Sequence, residues 1–326
     1  MPLTRMIPRL AAGLAALALP IAAGVTLAAP HTSSSQAAAR ASAADAPAVV
    51  LVSIDGFPAS AFADPALPLP TLRRLAASGA TAEGLRPANP VVTWPNHTTF
   101  VTGVTAARHH VLSNGLIIRP GPGLPPRVEP WRDKREMVRA PTVYDRAHAQ
   151  GLTTAQVDWV AIQNPGTITW AFPERPDPEG AIERELVAAG LLTREDVGQF
   201  AKRPVLWRDH VWTEAGVHIL TRHRPNLLLF HLLNTDSTHH RYGHGTPAGF
   251  TALAHADTQL GRLVAAVEAS GRREQTTFVV VSDHGFKTVT RQLRPNVVLR
   301  REGLLTGPDA GPGSAHVLSL GRMALE

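Results

Sequence analysis

The sequence contains no cysteine in 326 residues. That excludes disulfide frameworks, thiolate zinc sites, iron–sulfur clusters and a cysteine nucleophile. Any transition metal must then be held by histidine and carboxylates. Lysine is scarce, confined to Lys134, Lys202 and Lys287, so the positive charge is almost all arginine. The arginines are scattered, with no dense basic run interleaved with aromatics, and no nucleic-acid-binding module is expected. Beyond the N-terminal leader no apolar stretch is long enough to span a bilayer, and no internal repeat is evident. Histidine, by contrast, is plentiful, with 15 residues. A content of 44% hydrophobic and 18% charged residues is that of a folded chain, and the length suits one large domain.

Residues 1–29 have the pattern of a secretory signal: Arg5 and Arg9, then an apolar stretch from Leu10 to Ala29, with small residues for cleavage around Thr26-Leu27-Ala28. The alternative is an uncleaved membrane anchor, which Pro20 and the many alanines disfavour. Without these two arginines the formal charge falls from +6 to +4. Residues 30–47 form a Ser/Ala-rich linker. Residues 48–326 are left for the folded domain, in a protein expected in the periplasm or outside the cell.

Three apolar runs organise that domain. They are Ala48 to Ile54, Asn226 to Leu233 and Thr276 to Ser282. Each is nearly continuous rather than alternating, as in strands buried on both faces of a parallel sheet. Helical patterns lie between them at Leu69–Ser78, Ala181–Ala189, Trp207–His223 and Pro247–Ser270. The expected fold is therefore α/β: a doubly wound, mainly parallel sheet with helices on both faces. In such sheets ligands gather beyond the carboxyl ends of the strands. There the three runs place Asp55-Gly56, Asp236 with His240, and Asp283-His284-Gly285. If the segment after the second run is helical, Asp236 and His240 share a face at i, i+4. Carboxylate and imidazole together suit Zn²⁺, with Mn²⁺ or iron as alternatives.

Between Pro87 and Gly103 lies a segment containing Thr93-Trp94-Pro95-Asn96-His97. A helix is expected to start near Pro95. Thr93 is a candidate nucleophile if a metal activates its hydroxyl, and Asn96 a candidate donor to a phosphoryl oxygen. On these residues alone a plain helix cap is the favoured reading.

The ordered set Asp55-Gly56, Thr93-Trp94-Pro95-Asn96-His97 with Val101-Thr102-Gly103, Asp236 to His240, and Asp283-His284-Gly285 resembles the alkaline phosphatase superfamily. Within it, the nucleotide pyrophosphatase/phosphodiesterase branch is the match, from about Val49 to about Leu305. The resemblance implies a hydrolase of phosphodiester or pyrophosphate bonds in nucleotide-like small molecules, working through a Thr93 phospho-enzyme. It implies two zinc ions. One would take Asp55, Thr93, Asp283 and His284; the other Asp236, His240 and a third histidine. Asn96 and the Thr93 backbone N–H would stabilise the phosphoryl oxygens.

The third histidine has no good counterpart. His316 is the one histidine after His284, and its neighbours Ser314, Ala315, Val317 and Leu318 do not form the family's Gly-containing motif. The second zinc site is therefore expected to be incomplete, and the catalytic domain to be cut short at Glu326. Rival readings are a phosphomonoesterase or phosphonate hydrolase of the same superfamily, and a non-catalytic metal- or phosphate-binding chain. A sulfatase is disfavoured, since no cysteine exists to become its formyl residue. Asp158 is expected to be structural, as are His97, Trp159 and Trp170. His109 and His110 are expected in a loop, His239, Tyr242 and His244 behind the ligands, and the Pro/Gly-rich residues 121–131 in a loop excursion near the site mouth, read as a plain surface loop ahead of a pocket wall.

Overall fold

The structure is a computed structural model and describes residues 46–121, 124–306, 315, 317 and 318. The leader, most of the linker and His316 lie outside the described residues. Strands are numbered β1 (Ala48–Ile54), β2 (Leu116–Ile118), β3 (Arg127–Glu129), β4 (Thr154–Val157), β5 (Trp170–Phe172), β6 (Leu227–Leu232) and β7 (Thr276–Val281). The main helices are α1 (Pro70–Ser78), α2 (Thr93–Thr102), α3 (Val143–Ala149), α4 (Ala181–Ala188), α5 (Val205–His218), α6 (Asn234–Tyr242) and α7 (Pro247–Ala269).

Five strands form one sheet in the order β5-β4-β6-β1-β7, and every pairing is parallel. β2 and β3 form a separate antiparallel ribbon. The three apolar runs are the three adjacent strands β6, β1 and β7, so the α/β expectation holds.

Both faces of the sheet are covered along β6 and most of β1, which explains their unbroken apolar runs, whereas the edge strand β7 is only partly covered, with Val279 38% exposed. Val50, Val52 and Ile54 of β1, with Leu228, Phe230 and Leu232 of β6, pack against Trp212 of α5 and Leu260 and Leu263 of α7. The alternate residues Leu51, Leu227 and Leu229 join Val101 of α2 and Tyr144 of α3 on the other face. A side chain of this size is worth roughly 1.5–3 kcal/mol when fully buried, so the two layers together fix the strand register. Register then fixes direction: His231, between Phe230 and Leu232, must face α2. Its ring centroid is 4.6 Å from that of His97 on α2.

Helix boundaries follow local chemistry. α7 begins at Pro247, with the Thr246 hydroxyl accepting from the Gly249 N–H. α2 ends at Gly103, whose φ of 68° gives the left-handed cap. α2 starts at Thr93, two residues before the expected Pro95, which places Thr93 itself at the first helical position. No helix among the described residues is long and apolar enough to cross a membrane.

Candidate active site

The sheet brings Asp55, Asp236 and Asp283 together from the ends of three neighbouring strands. β1 and β6 are paired through Ile54 and Leu232, and β1 and β7 through Ser53 and Val281. Asp55 follows β1 directly. Its turn needs Gly56, which has φ 66° and approaches so closely that a Cβ would lie 2.4 Å from the Phe286 ring and 3.3 Å from the Asp236 Cα. The Gly56 N–H donates to Asp283 Oδ1 at 3.1 Å, tying the first strand end to the third.

His284 sits among the three carboxylates. Its Nε2 is 3.4 Å from Asp55 Oδ1, 3.3 Å from Asp283 Oδ2 and 3.9 Å from Asp236 Oδ1. His240 Nε2 is 3.3 Å from Asp236 Oδ1, across one turn of α6, as the i, i+4 spacing requires. The Phe286 ring packs edge-on against His240 and His284, with centroids 4.8 and 5.7 Å apart.

This set fits a cation. Ligand atoms of Asp55, Asp236 and His284 lie within 4.8 Å of one another. Asp55 Oδ1 and Asp283 Oδ2 are buried and accept no hydrogen bond. Burial, reinforced by the nearby carboxylates of Asp283 and Asp236, pushes the Asp55 pKa well above its usual value. A positive ion among these oxygens would offset that repulsion.

Thr93 lines a cavity of about 250 Å³ together with Asp55, Asp236, His231, Asn114 and Trp131. Thr93 thus shares a cavity wall with Asp55 and Asp236 and stands at the N-terminus of α2, where helical N–H groups lack intrahelical partners.

Asn96 departs from expectation. It is 1% exposed, and its side chain is used up by the preceding loop. Oδ1 accepts from the Ala88 N–H at 2.7 Å, and Nδ2 contacts the carbonyls of Ala88, Pro90 and Val92 at 3.1–3.3 Å. Its donors are therefore spent on the backbone leading into Thr93, and it is not on the cavity wall. Asn114 is on that wall. Its Oδ1 accepts from the Trp94 N–H at 2.9 Å, which leaves the amide nitrogen available. Its Ser-Asn-Gly context signals only a turn, so sequence alone could not separate it from a loop residue.

His231 is a second residue that sequence reasoning missed. It is 2% exposed in the middle of the sheet. Nε2 is 3.1 Å from Asp55 Oδ2, and Nδ1 is 3.0 Å from Asp158 Oδ2 and 3.1 Å from the Asp158 carbonyl. Burial opposes its protonation, but the carboxylates of Asp158 and Asp55 outweigh it and raise its pKa well above the usual value. Asp158 keeps a structural role, yet one linked to the site through His231; burial pushes its own pKa to about 8.

Other histidines are placed as supports. His97 Nδ1 donates to the Thr93 carbonyl at 2.9 Å, and burial lowers its pKa to about 3, so the ring is neutral. His239 Nδ1 lies 3.3 Å from the Gly56 carbonyl. His109 is buried at the end of a short helix and meets Thr99 Oγ1 at 3.1 Å. The segment expected as a plain surface loop instead forms β3 and delivers Pro130 and Trp131 to the cavity, because β3 pairs back onto β2. Trp131 packs edge-on to Trp94, centroids 6.2 Å apart, and carries the Arg175 guanidinium 3.8 Å from its ring centroid. Trp159 is buried and Trp170 packs on His223, so neither reaches the cavity.

The sequence pattern of the family described as Type I phosphodiesterase / nucleotide pyrophosphatase matches residues 49–325. The chain belongs to this family. Ectonucleotide pyrophosphatase/phosphodiesterase family member 3 of Bos taurus is 24% identical over 245 residues, covering 74% of this chain and 25% of the relative. The human family member 7 is also 24% identical, with coverage of 75% and 49%. The chain thus spans between a quarter and half the length of these curated relatives. Murine ectonucleotide pyrophosphatase/phosphodiesterase 5 shares the fold, with a TM-score of 0.55 at 18% identity over 75% of this chain and 59% of that one. An inactive Thr-to-Ala variant of the murine protein, solved in complex with AMP, superposes with the same TM-score over 76% of this chain at 18% identity.

Proposed function

We propose that this family member is an exported, metal-dependent hydrolase of phosphodiester or pyrophosphate bonds in nucleotide-type substrates, with Thr93 as nucleophile. The observation that carries this reading is Thr93 on one cavity wall with Asp55 and Asp236, at the start of a helix and near a cluster in which two buried carboxylate oxygens accept no hydrogen bond. Bound zinc would supply a lowered pKa for the Thr93 hydroxyl and positive charge for the phosphoryl oxygens.

Asp55, Asp283 and His284, with Thr93, would hold one ion, and Asp236 with His240 the other. Thr93 Oγ1 attacks phosphorus in line with the leaving alcohol or phosphate. The Thr93 oxygen–phosphorus bond forms as the leaving-group bond breaks, which leaves the retained alcohol esterified to the same phosphorus, and water then hydrolyses this Thr93 phosphodiester to a phosphomonoester and the free hydroxyl. The Asn114 amide and the Thr93 N–H at the α2 terminus face the developing equatorial charge. His97 holds the Thr93 carbonyl and so fixes that first turn. Trp131 offers an aromatic wall against which a base can lie. An inactive Thr-to-Ala variant of the murine relative, bound to AMP, favours both the nucleophile and the substrate class.

The test is turnover of bis(p-nitrophenyl) phosphate by the full chain with zinc, beside Thr93→Ala. Loss of turnover by about 10³-fold or more is expected for an activated nucleophile. Equal rates for the two proteins would overturn the reading, and a preference for p-nitrophenyl phosphate would reassign the enzyme as a monoesterase.

A further inference from the structure

At the opposite end of the sheet, Glu185, His218 and His223 converge. Glu185 Oε2 lies 2.7 Å from His218 Nε2 and 2.6 Å from His223 Nε2. The ligand atoms of all three are mutually within 4.8 Å. The cluster precedes β6, whereas Asp236 follows it, so about 20 Å of strand separates it from the candidate active site.

The convergence is not an ordinary consequence of helix geometry. Residues five apart on an α-helix point roughly 140° away from each other. Here α5 ends at His218 and the chain continues as a π-helical turn, Ile219–His223. The Arg224 N–H donates to the Ile219 carbonyl at 3.0 Å, an i→i+5 bond. That widened turn puts His218 and His223 on one side, facing Glu185 of α4. Such single π turns recur at functional sites. The Trp170 ring of β5 stacks on His223 with a centroid separation of 3.8 Å and an interplanar angle of 25°, fixing the imidazole plane.

We propose that Glu185, His218 and His223 form a second, non-catalytic site for a divalent transition ion of the zinc type. Two imidazole nitrogens and one carboxylate oxygen are a familiar zinc donor set, with a fourth position for water. The side chains of His218 and His223 are 12% and 15% exposed and that of Glu185 is 37% exposed, so an ion can enter from solvent. Zinc–ligand distances near 2.0–2.2 Å require only that the flexible Glu185 carboxylate withdraw slightly from the two rings. The ion would clip α4 to the end of α5 and leave the phosphoryl-transfer residues untouched. The proposal is independent of the function proposed above.

Metal-free full-length chain is titrated with ZnCl₂ by calorimetry, beside Glu185→Gln and the double variant His218→Gln/His223→Gln. The expected result is one fewer zinc per chain in the double variant and at least tenfold weaker binding at one site in Glu185→Gln, with bis(p-nitrophenyl) phosphate turnover unchanged. Equal zinc stoichiometry and affinity in all three would overturn the proposal and leave the cluster a hydrogen-bonded network. Should the double variant not fold, wild-type crystals soaked in ZnCl₂ decide the matter. An anomalous peak bridging Glu185, His218 and His223 supports the site, and no peak there refutes it.

Discussion

His231 Nε2 stands 3.1 Å from Asp55 Oδ2, joining the penultimate residue of one strand to the residue just past the end of its neighbour. The contact leaves the other Asp55 oxygen, Oδ1, turned to His284 at 3.4 Å without a hydrogen bond. One oxygen of Asp55 is anchored inside the protein and the other is presented to the site. Asp158, through the other ring nitrogen, fixes the orientation of the imidazole.

If His231 sets the aim of Asp55, His231→Asn should weaken zinc binding and lower kcat/KM together, by about 10–100-fold, as loss of a partner behind a metal ligand does. Zinc affinity from chelator competition and steady-state kinetics measure the two. An unchanged zinc affinity would show that Asp55 holds its position without this histidine.

The two asparagines should separate cleanly. Asn114→Ala is expected to reduce kcat by about 10²–10³-fold, the cost of one donor to developing charge, with little change in Tm. Asn96→Ala is expected to destabilise the fold, since several backbone groups lose partners at about 1–3 kcal/mol each when left buried. Thermal melts and kinetics on both variants would refute the assignment if the pattern were reversed.

Gly56→Ala tests the close approach of strand ends. A Cβ there meets the Phe286 ring at 2.4 Å on a backbone with φ 66°. Left-handed strain alone costs about 1–2 kcal/mol, and displacement of Phe286 disturbs His240 and His284 as well. A lowered Tm together with weaker zinc binding is expected; a variant indistinguishable from wild type in both would contradict the geometry.

Asp209 of α5 predicts a pH dependence. Its carboxylate accepts from the Leu233 and Asn234 N–H groups at 3.0 and 3.1 Å, at the start of α6. Burial, only partly offset by those hydrogen bonds, raises its pKa from 3.8 to about 7. Between these values the folded protein keeps a proton that the unfolded chain releases, so this group's contribution to stability falls as pH rises from about 4 to about 7. Asparagine does not titrate. The Tm of Asp209→Asn should therefore improve relative to wild type as pH is raised through this window, and a difference flat in pH would refute the shift.

The primary sequence determined the architecture and the strand-end carboxylates. Continuous apolar runs can be buried only between two layers, and an Asp-Gly or Asp-His-Gly after such a run is a local signal at a known place in a parallel sheet. Asp55, Asp236 and Asp283, with His240 and His284, stood out as a strand-end cluster for that reason, whereas Thr93 stood out only through the family resemblance. Only the tertiary structure decided what depends on contacts between distant segments. Asn96 turned inward because the loop from Ala88 to Val92 wraps it, and Asn114 came to the cavity from a turn with no distinguishing pattern. His231 is one residue in an apolar run, and its partners Asp55 and Asp158 lie 176 and 73 residues away in the chain. Glu185, His218 and His223 meet because a π turn breaks the helical period on which sequence reading relies. Short-range periodicity encodes which face a side chain takes, whereas the partner it meets there is set by strand order and register.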